Sequence, residues 1–68
     1  MRIKYFHETD TAIIQLSGLE VAETREINQN IYIDLGKSGN LVAMTIEHAS
    51  EQAGLPSLYY DEIKTPAN

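Results

Sequence analysis

The sequence predicts a mainly β fold (α+β at most): a single antiparallel meander of about five strands, then a short C-terminal helix or tail, forming a dimer. Short segments of alternating apolar and polar residues are separated by polar or glycine-containing links, which is typical of strands with one solvated face. The 68-residue chain has no Cys, so disulfides cannot stabilise its small core. Because one sheet also needs its apolar face covered, we expect a second subunit to cover it.

The N-terminal part predicts a hairpin and then a weaker strand. Residues 2–5 and residues 11–16 alternate, and the polar link His7–Asp10 suits a chain reversal. Residues 19–24 form a less regular run, anchored by Val21 and rich in Glu. We interpret it as an exposed edge strand, where charges discourage unwanted pairing. A helix is the alternative, since Glu, Ala and Arg favour one.

The segment 30–50 organises the chain as a second hairpin. Its loop, Gly36–Asn40, carries two glycines and an Asn, which tolerate the positive φ of hairpin turns. The strand that follows, residues 41–47, has apolar residues on both faces, and a strand of this kind lies in the centre of a sheet. One face of the hairpin is built from the alternating apolar positions Ile31, Ile33, Leu35, Val42, Met44 and Ile46.

The segment 51–68 departs from this strand pattern. Ser50 is placed to cap a short helix through residues 51–53, and Gly54 to end it. Tyr59 and Ile63 are four residues apart, as in one or two turns of an amphipathic helix. We therefore expect a sheet domain over residues 1–50 and a short helix with a partly disordered tail over residues 51–68.

Charge and hydropathy exclude several classes of partner. The net charge is −5, and the five basic residues are scattered, so no basic patch for nucleic acid is present. An acidic surface favours a basic protein partner. No segment has the length of an apolar signal sequence or membrane span, so we expect a cytoplasmic protein with no membrane contact.

The sequence offers no catalytic constellation and implies no cofactor. Gly36-Lys37-Ser38 resembles part of a phosphate-binding loop, but the required earlier glycine is replaced by Ile31 and a strand follows. A hairpin turn is the better interpretation. Carboxylates that could be paired for acid–base work all fall on exposed strand positions or turns: Glu23, Glu26, Asp34 and Glu47. His7, Asp10 and His48 are weak candidates for metal ligands.

Two stretches together resemble the DUF2283 family. The first is MRIKYFHETDTAIIQLS, through Tyr5, Asp10, Ala12, Ile14 and Leu16. The second comprises Ile33-Asp34, Gly39-Asn40-Leu41-Val42, Ile46 and Ala49-Ser50, with Val21-Ala22-Glu23-Thr24 between the two stretches. The similarity extends over roughly residues 1–50. The chain departs from the family pattern at His7 and at Gly36-Lys37-Ser38.

The resemblance implies a small bacterial protein without an assigned function. Some members of the family are encoded beside candidates for small RNase-like toxins and are similar to antitoxins. Together with the acidic charge, this predicts a non-enzymatic protein-interaction module, an antitoxin-like partner of a small basic toxin, that also forms a homodimer. The expected partner interface comprises Tyr32, Asp34, Tyr59, Tyr60 and Ile63. The alternative is a metal- or small-ligand-binding subunit with His7, Asp10 and His48 at a homodimer interface.

Overall fold

The computed structural model describes residues 1–66, so the last two residues of the predicted tail lie outside it. It confirms the predicted fold class, with five antiparallel strands in one sheet and a short C-terminal helix. The elements are β1 (Arg2–Phe6), β2 (Thr11–Gln15), β3 (Glu23–Asn28), β4 (Ile31–Leu35), β5 (Leu41–Glu47) and α1 (Ala49–Ala53).

Strand β5 lies at the centre of the sheet, as its two apolar faces predicted. The strand order is β1-β2-β5-β4-β3, and every neighbouring pair is antiparallel. The link between β2 and β3 therefore carries the chain from the second position to the far edge. β5 then returns between the two hairpins and joins them into one sheet.

One face of the sheet carries most of the apolar side chains and receives the helix; we call it the helix face. Directly opposed residues in antiparallel strands point to the same side. Ala12, Ile46, Ala49 and Leu55 form its buried cluster. Ala12 and Ala49 are fully buried, and their small side chains let the helix approach the sheet closely. Further apolar residues that pack against this cluster are Tyr5, Ile14, Ile31 and Met44.

The opposite face, which we call the open face, is more polar. Its central row crosses all five strands in register and comprises Lys4, Ile13, Thr45, Tyr32 and Glu26. Within residues 1–66, the one helix, α1, packs on the other side of the sheet. The protein measures 19 Å in its shortest dimension, as expected for one sheet with a small helix.

The weak third strand lies later in the chain than the sequence predicts. Residues 19–24 were expected to form it, but β3 is Glu23–Asn28 and its residues are all exposed. The edge position and strand type are confirmed, and the helix alternative is wrong. The prediction began too early because it relied on Leu19 and Val21. Their side chains are exposed, and backbone hydrogen bonding to β4 begins at Ala22, after both residues.

The helix also begins differently from the prediction. Its N-cap residue is His48, in the left-handed region with φ 55° and no side-chain capping bond. Ser50 lies inside the first turn of the helix. Its hydroxyl does not cap the helix, because it donates to Asp10 Oδ2 at 2.7 Å. Gly54 ends the helix at φ 72°, as predicted.

The expected amphipathic turn around Tyr59 is not formed, because residues 58–66 adopt neither helix nor strand.

Replacement of Gly39 tests the central hairpin. Gly39 has φ 81° with open space around its Cα, so Gly39→Ala adds left-handed strain without a clash. We expect a loss of about 1–2 kcal/mol in the free energy of unfolding. Urea denaturation followed by circular dichroism measures it. Gly18→Ala is the matched control, since Gly18 also has open space but no positive φ, and its stability should stay constant or rise slightly. Equal effects of both changes would contradict the strained turn.

Candidate functional site

Asp10 is the most connected polar side chain of the described residues. The Tyr5 hydroxyl donates to its Oδ1 at 2.6 Å. The Ser50 backbone N–H donates to the same oxygen at 3.0 Å, and the Ser50 hydroxyl donates to Oδ2 at 2.7 Å. Asp10 itself has φ 54°, and its carbonyl oxygen accepts the N–H of Ala49 at 2.8 Å. The β1–β2 turn is thus tied to the start of α1.

These hydrogen bonds favour an ionised Asp10 and a protonated Tyr5. Hydrogen bonds from Tyr5 and then Ser50 stabilise the carboxylate and hold the pKa of Asp10 below its ordinary value. The same Asp10 bond raises the pKa of Tyr5, since the phenol must stay protonated to donate. The arrangement is a structural clamp on an ionised carboxylate, and it leaves neither oxygen without a partner from the chain.

The three candidate metal ligands are not assembled into a site. His7 packs edge-on against the Tyr5 ring, with 4.7 Å between ring centroids. His48 Nδ1 lies 2.9 Å from Asn30 Oδ1, and the Asp10 carboxylate is occupied as described. Over residues 1–66, no three His, Cys, Asp or Glu side chains group in a way that could hold a metal ion.

The remaining carboxylates do not form a catalytic pair. Glu23 forms an exposed ion pair with Arg25 at 2.8 Å, and the Arg25 hydrogen bond lowers the pKa of Glu23. Asp34 accepts a hydrogen bond from the Thr24 hydroxyl at 2.7 Å. In the part of the chain that is described, no charged or polar residue is buried. These carboxylates therefore lie on surfaces, where solvent screens them.

The Gly36-Lys37-Ser38 stretch forms a hairpin turn, as predicted. The Gly36 N–H donates to Asn40 O at 2.9 Å, and the Gly39 N–H donates to Gly36 O at 3.0 Å. A solvent-open groove of about 490 Å³ lies between this turn and residues 19–22. It offers Lys37 together with Glu20, so opposite charges face the same space and no anion cradle results.

The predicted interface residues fall on two separate surfaces. Tyr32 and Asp34 lie half-buried on the open face. Tyr59, Tyr60 and Ile63 are 90%, 80% and 87% exposed, so they cannot pack against that face. They lie in residues 57–66, which we call the C-terminal arm and which leaves the sheet after Leu55 on the helix face. That either surface binds a partner stays a prediction.

Three members of these surfaces were missed in the sequence. Leu58 is also exposed in the arm, and its apolar character was a usable signal. Lys4 and Ile13 share the central row of the open face with Tyr32. Nothing in the sequences of β1 or β2 shows this, because these strands are aligned with Tyr32 of β4 only through their pairing with β5.

The one helix among the described residues is too short to cross a membrane.

The Asp10 clamp predicts a pH-dependent loss of stability in Asp10→Asn. Asn tolerates the positive φ, so the change mainly removes the charge. Because the folded pKa of Asp10 lies below its ordinary value of 3.8, its contribution is complete above that value and is lost as the pH falls through the folded pKa. We expect Asp10→Asn to melt at a lower temperature than the wild type at pH 7, with a difference that narrows below about pH 4.

Thermal melts between pH 7 and pH 3 measure this difference. Glu8→Gln is the matched control, since it removes one negative charge from the same turn at an exposed side chain. It should leave the melting temperature nearly constant at pH 7. A constant gap between Asp10→Asn and wild type at every pH would show that the ionised carboxylate is not the stabilising group.

Comparison with known proteins identifies the family. No curated protein and no solved structure gives a significant match. The model of the family DUF2283, described as a protein of unknown function, matches residues 2–50. This segment contains all five strands and the beginning of the helix. The chain therefore belongs to the DUF2283 family, and its C-terminal arm extends beyond the region that defines that family.

Proposed function

We propose that this protein is a non-enzymatic interaction module that binds a partner protein through its C-terminal arm. The observation that carries the proposal is the density of exposed large apolar side chains in residues 58–63. Leu58 is 60% exposed, and Tyr59, Tyr60 and Ile63 are more exposed still. A short segment that keeps so much apolar and aromatic surface in water gains free energy when a partner covers it.

The residue types of the arm suit protein recognition. Tyr is enriched at interface centres, because its ring buries apolar area while its hydroxyl keeps a polar contact. Residues 58–66 adopt no helix or strand, so their backbone N–H and C=O groups are available to a partner. Peptides of this kind bind by adding a strand to a sheet edge or by filling a groove.

The charge of the protein favours a basic partner. The net charge is −5, and Asp61 and Glu62 lie between the exposed aromatic residues and Ile63. Complementary charge steers encounter and suppresses acidic competitors. A small basic toxin has this chemistry, and the protein would then act as its antitoxin. The arm would supply affinity through apolar burial, while the acidic surface would supply selectivity.

Replacement of the apolar arm residues tests the proposal. We compare immobilised wild type with a triple variant, Tyr59→Ser, Tyr60→Ser and Ile63→Ser. When cell extract is passed over it, the wild type should retain one basic protein in a fixed ratio. The triple variant should then bind this protein, once purified, at least about 100-fold more weakly than the wild type does. Calorimetric titration measures the affinities. The melting temperature should not change, because the replaced side chains are solvent-exposed.

The matched control changes the polar residues of the same arm. Glu62 and Lys64 lie 3.9 Å apart as an exposed pair, so Glu62→Gln with Lys64→Gln keeps the net charge. This control should bind the partner nearly as well as wild type. Retention of the same protein by the triple variant, or retention of no protein in a fixed ratio by wild type, would overturn the proposed role of the arm.

A further inference from the structure

We propose that the open face is a self-complementary surface that binds a second copy of this chain about a two-fold axis parallel to β5. In this arrangement Lys4 of each copy lies against Glu26 of the other. The inference goes beyond the proposed role of the arm and does not depend on it, since the arm leaves from the opposite face. It rests on the strand order, the register and the placement of charge across the sheet.

The register defines the surface. Lys4 is opposed to Ile13, Ile13 to Thr45, Thr45 to Tyr32, and Tyr32 to Glu26, through four consecutive strand pairs. Directly opposed side chains share a face. The next row, two residues away along each strand, comprises Arg2, Gln15, Ala43, Asp34 and Thr24.

A hydrogen bond shows that neighbouring side chains of this face point the same way, and the environment of Tyr32 is consistent with it. The Thr24 hydroxyl donates to Asp34 Oδ1 at 2.7 Å. Burial raises the pKa of Tyr32, and the negative charges of Glu26 and Glu47 raise it further, as expected for carboxylates on the same face as the Tyr32 ring. Tyr32 is therefore a partly desolvated ring on this face with carboxylates beside it.

Charge is separated across the open face. The β1 edge contributes the cations Arg2 and Lys4, whereas the β4 and β3 side contributes the anions Asp34 and Glu26. The centre contains the uncharged side chains of Ile13, Ala43 and Thr45, and the exposed carboxylate of Glu47 lies on the same face at the end of β5. β5 is the third of five strands, so the two charged margins lie at equal distances on either side of it.

This pattern selects one of the two possible symmetric pairings. When two copies meet face to face, the two-fold axis lies in the plane between the sheets. An axis across the strands would place Lys4 near Lys4 and Glu26 near Glu26, which is repulsive. An axis parallel to β5 exchanges the margins and places each Lys4 against the Glu26 of the second copy. A closed two-fold contact of this type is the commonest in soluble oligomers.

The same axis places matching groups elsewhere on the surface. Arg2 faces Thr24 of the second copy and lies beside its Asp34, while Ile13 covers the Tyr32 ring. Thr45 lies on the axis opposite itself, and the small Ala43 next to it lets the sheets approach. Glu47 also faces Glu47 of the second copy, but it is exposed at the end of β5, where salt screens the repulsion. Packed sheets lie about 10 Å apart, a gap that Lys and Glu side chains fill from opposite sides.

The available area indicates a dimer of modest affinity. Five strands at about 4.8 Å spacing and about 17 Å length give a face of roughly 400 Å² in projection for each copy. Burial of two such faces removes about 800 Å² in total, which is below the roughly 1,200 Å² of standard specific interfaces and in the range of weak, transient contacts. We therefore expect a dissociation constant in the micromolar range, so that oligomeric state depends on protein concentration.

Charge reversal on each margin tests the pairing. Sedimentation equilibrium in 0.15 M salt, where the repulsion between net charges is largely screened, should show dimers of the wild type. Lys4→Glu and Glu26→Lys should each raise the dissociation constant at least tenfold. An equimolar mixture of the two variants should restore dimers, because both contacts in the mixed dimer then join opposite charges. Circular dichroism checks that each variant is folded.

Matched controls make the same charge changes outside the open face. Lys37→Glu in the β4–β5 turn and Glu20→Lys in the link before β3 should leave the dissociation constant within about twofold of wild type. The proposal would be overturned by a wild-type monomer at 1 mM, by unchanged dimers in both Lys4→Glu and Glu26→Lys, or by no restoration of dimers on mixing. If a folded Ile3→Glu variant lost the dimer while Lys4→Glu and Glu26→Lys both kept it, the second copy would lie on the helix face instead.

The arm variant separates this proposal from the proposed function. The triple arm variant, Tyr59→Ser with Tyr60→Ser and Ile63→Ser, should form dimers with the wild-type dissociation constant. If this variant loses partner binding and keeps the dimer, the result supports the role of the arm and leaves the open-face contact unaffected. Loss of the dimer in Lys4→Glu with intact partner binding supports the open face as an independent contact, and loss of dimers in the arm variant would contradict it.

Discussion

The hydrogen bonding of β5 along both of its edges is the constraint on which the rest of the structure depends. Without β5, the chain would be two separate two-stranded hairpins, and isolated hairpins are marginal in water. β5 pairs with β2 on one side and β4 on the other, and it contributes Ile46 to the buried cluster. Because these contacts join distant parts of the sequence, both hairpins and the helix face become ordered only when β5 is in place.

Asp10 extends this constraint to the helix. A helix of five residues, Ala49–Ala53, is too short to be stable alone. Its first turn is held from outside by the Asp10 carboxylate and carbonyl, which are 40 residues away from Ser50 in sequence. The clamp positions Ala49 over Ala12 and directs the chain so that Leu55 reaches the helix face. The arm begins just beyond this point, so its direction of departure is set by the same clamp.

The sequence predicted what depends on local pattern and failed where tertiary pairing decides. Alternation located four strands and the central position of β5, and Gly54 correctly ended the helix. Leu19 and Val21 misplaced β3, because an exposed edge strand has no apolar stripe of its own and its bounds come from pairing with β4. Ser50 suggested a cap, yet its hydroxyl bonds to the Asp10 carboxylate, which folding brings near.

Six residues that carried the family resemblance meet around this clamp, although their spacing along the chain gave no sign of the contact. They are Tyr5, Asp10, Ala12, Ile46, Ala49 and Ser50. Nothing in the sequence indicated that Tyr32 and Tyr59 lie on separate surfaces. The sheet register assigns Tyr32 to the open face, whereas Tyr59 follows Leu55, which packs on the helix face.

Separation of the two surfaces has a consequence for how the protein would work. In the proposed dimer the open faces are joined, so both helix faces point outward and each carries the base of one arm. The two arms are related by the two-fold axis and can bind two copies of a partner, or one partner with two equivalent contacts. In the second case the dimer raises the effective concentration of the second arm, and affinity gains without any new contact. Because the dimer is expected to be weak, such a gain would appear only above a threshold concentration of the protein, and partner binding would in turn favour the dimer by linkage.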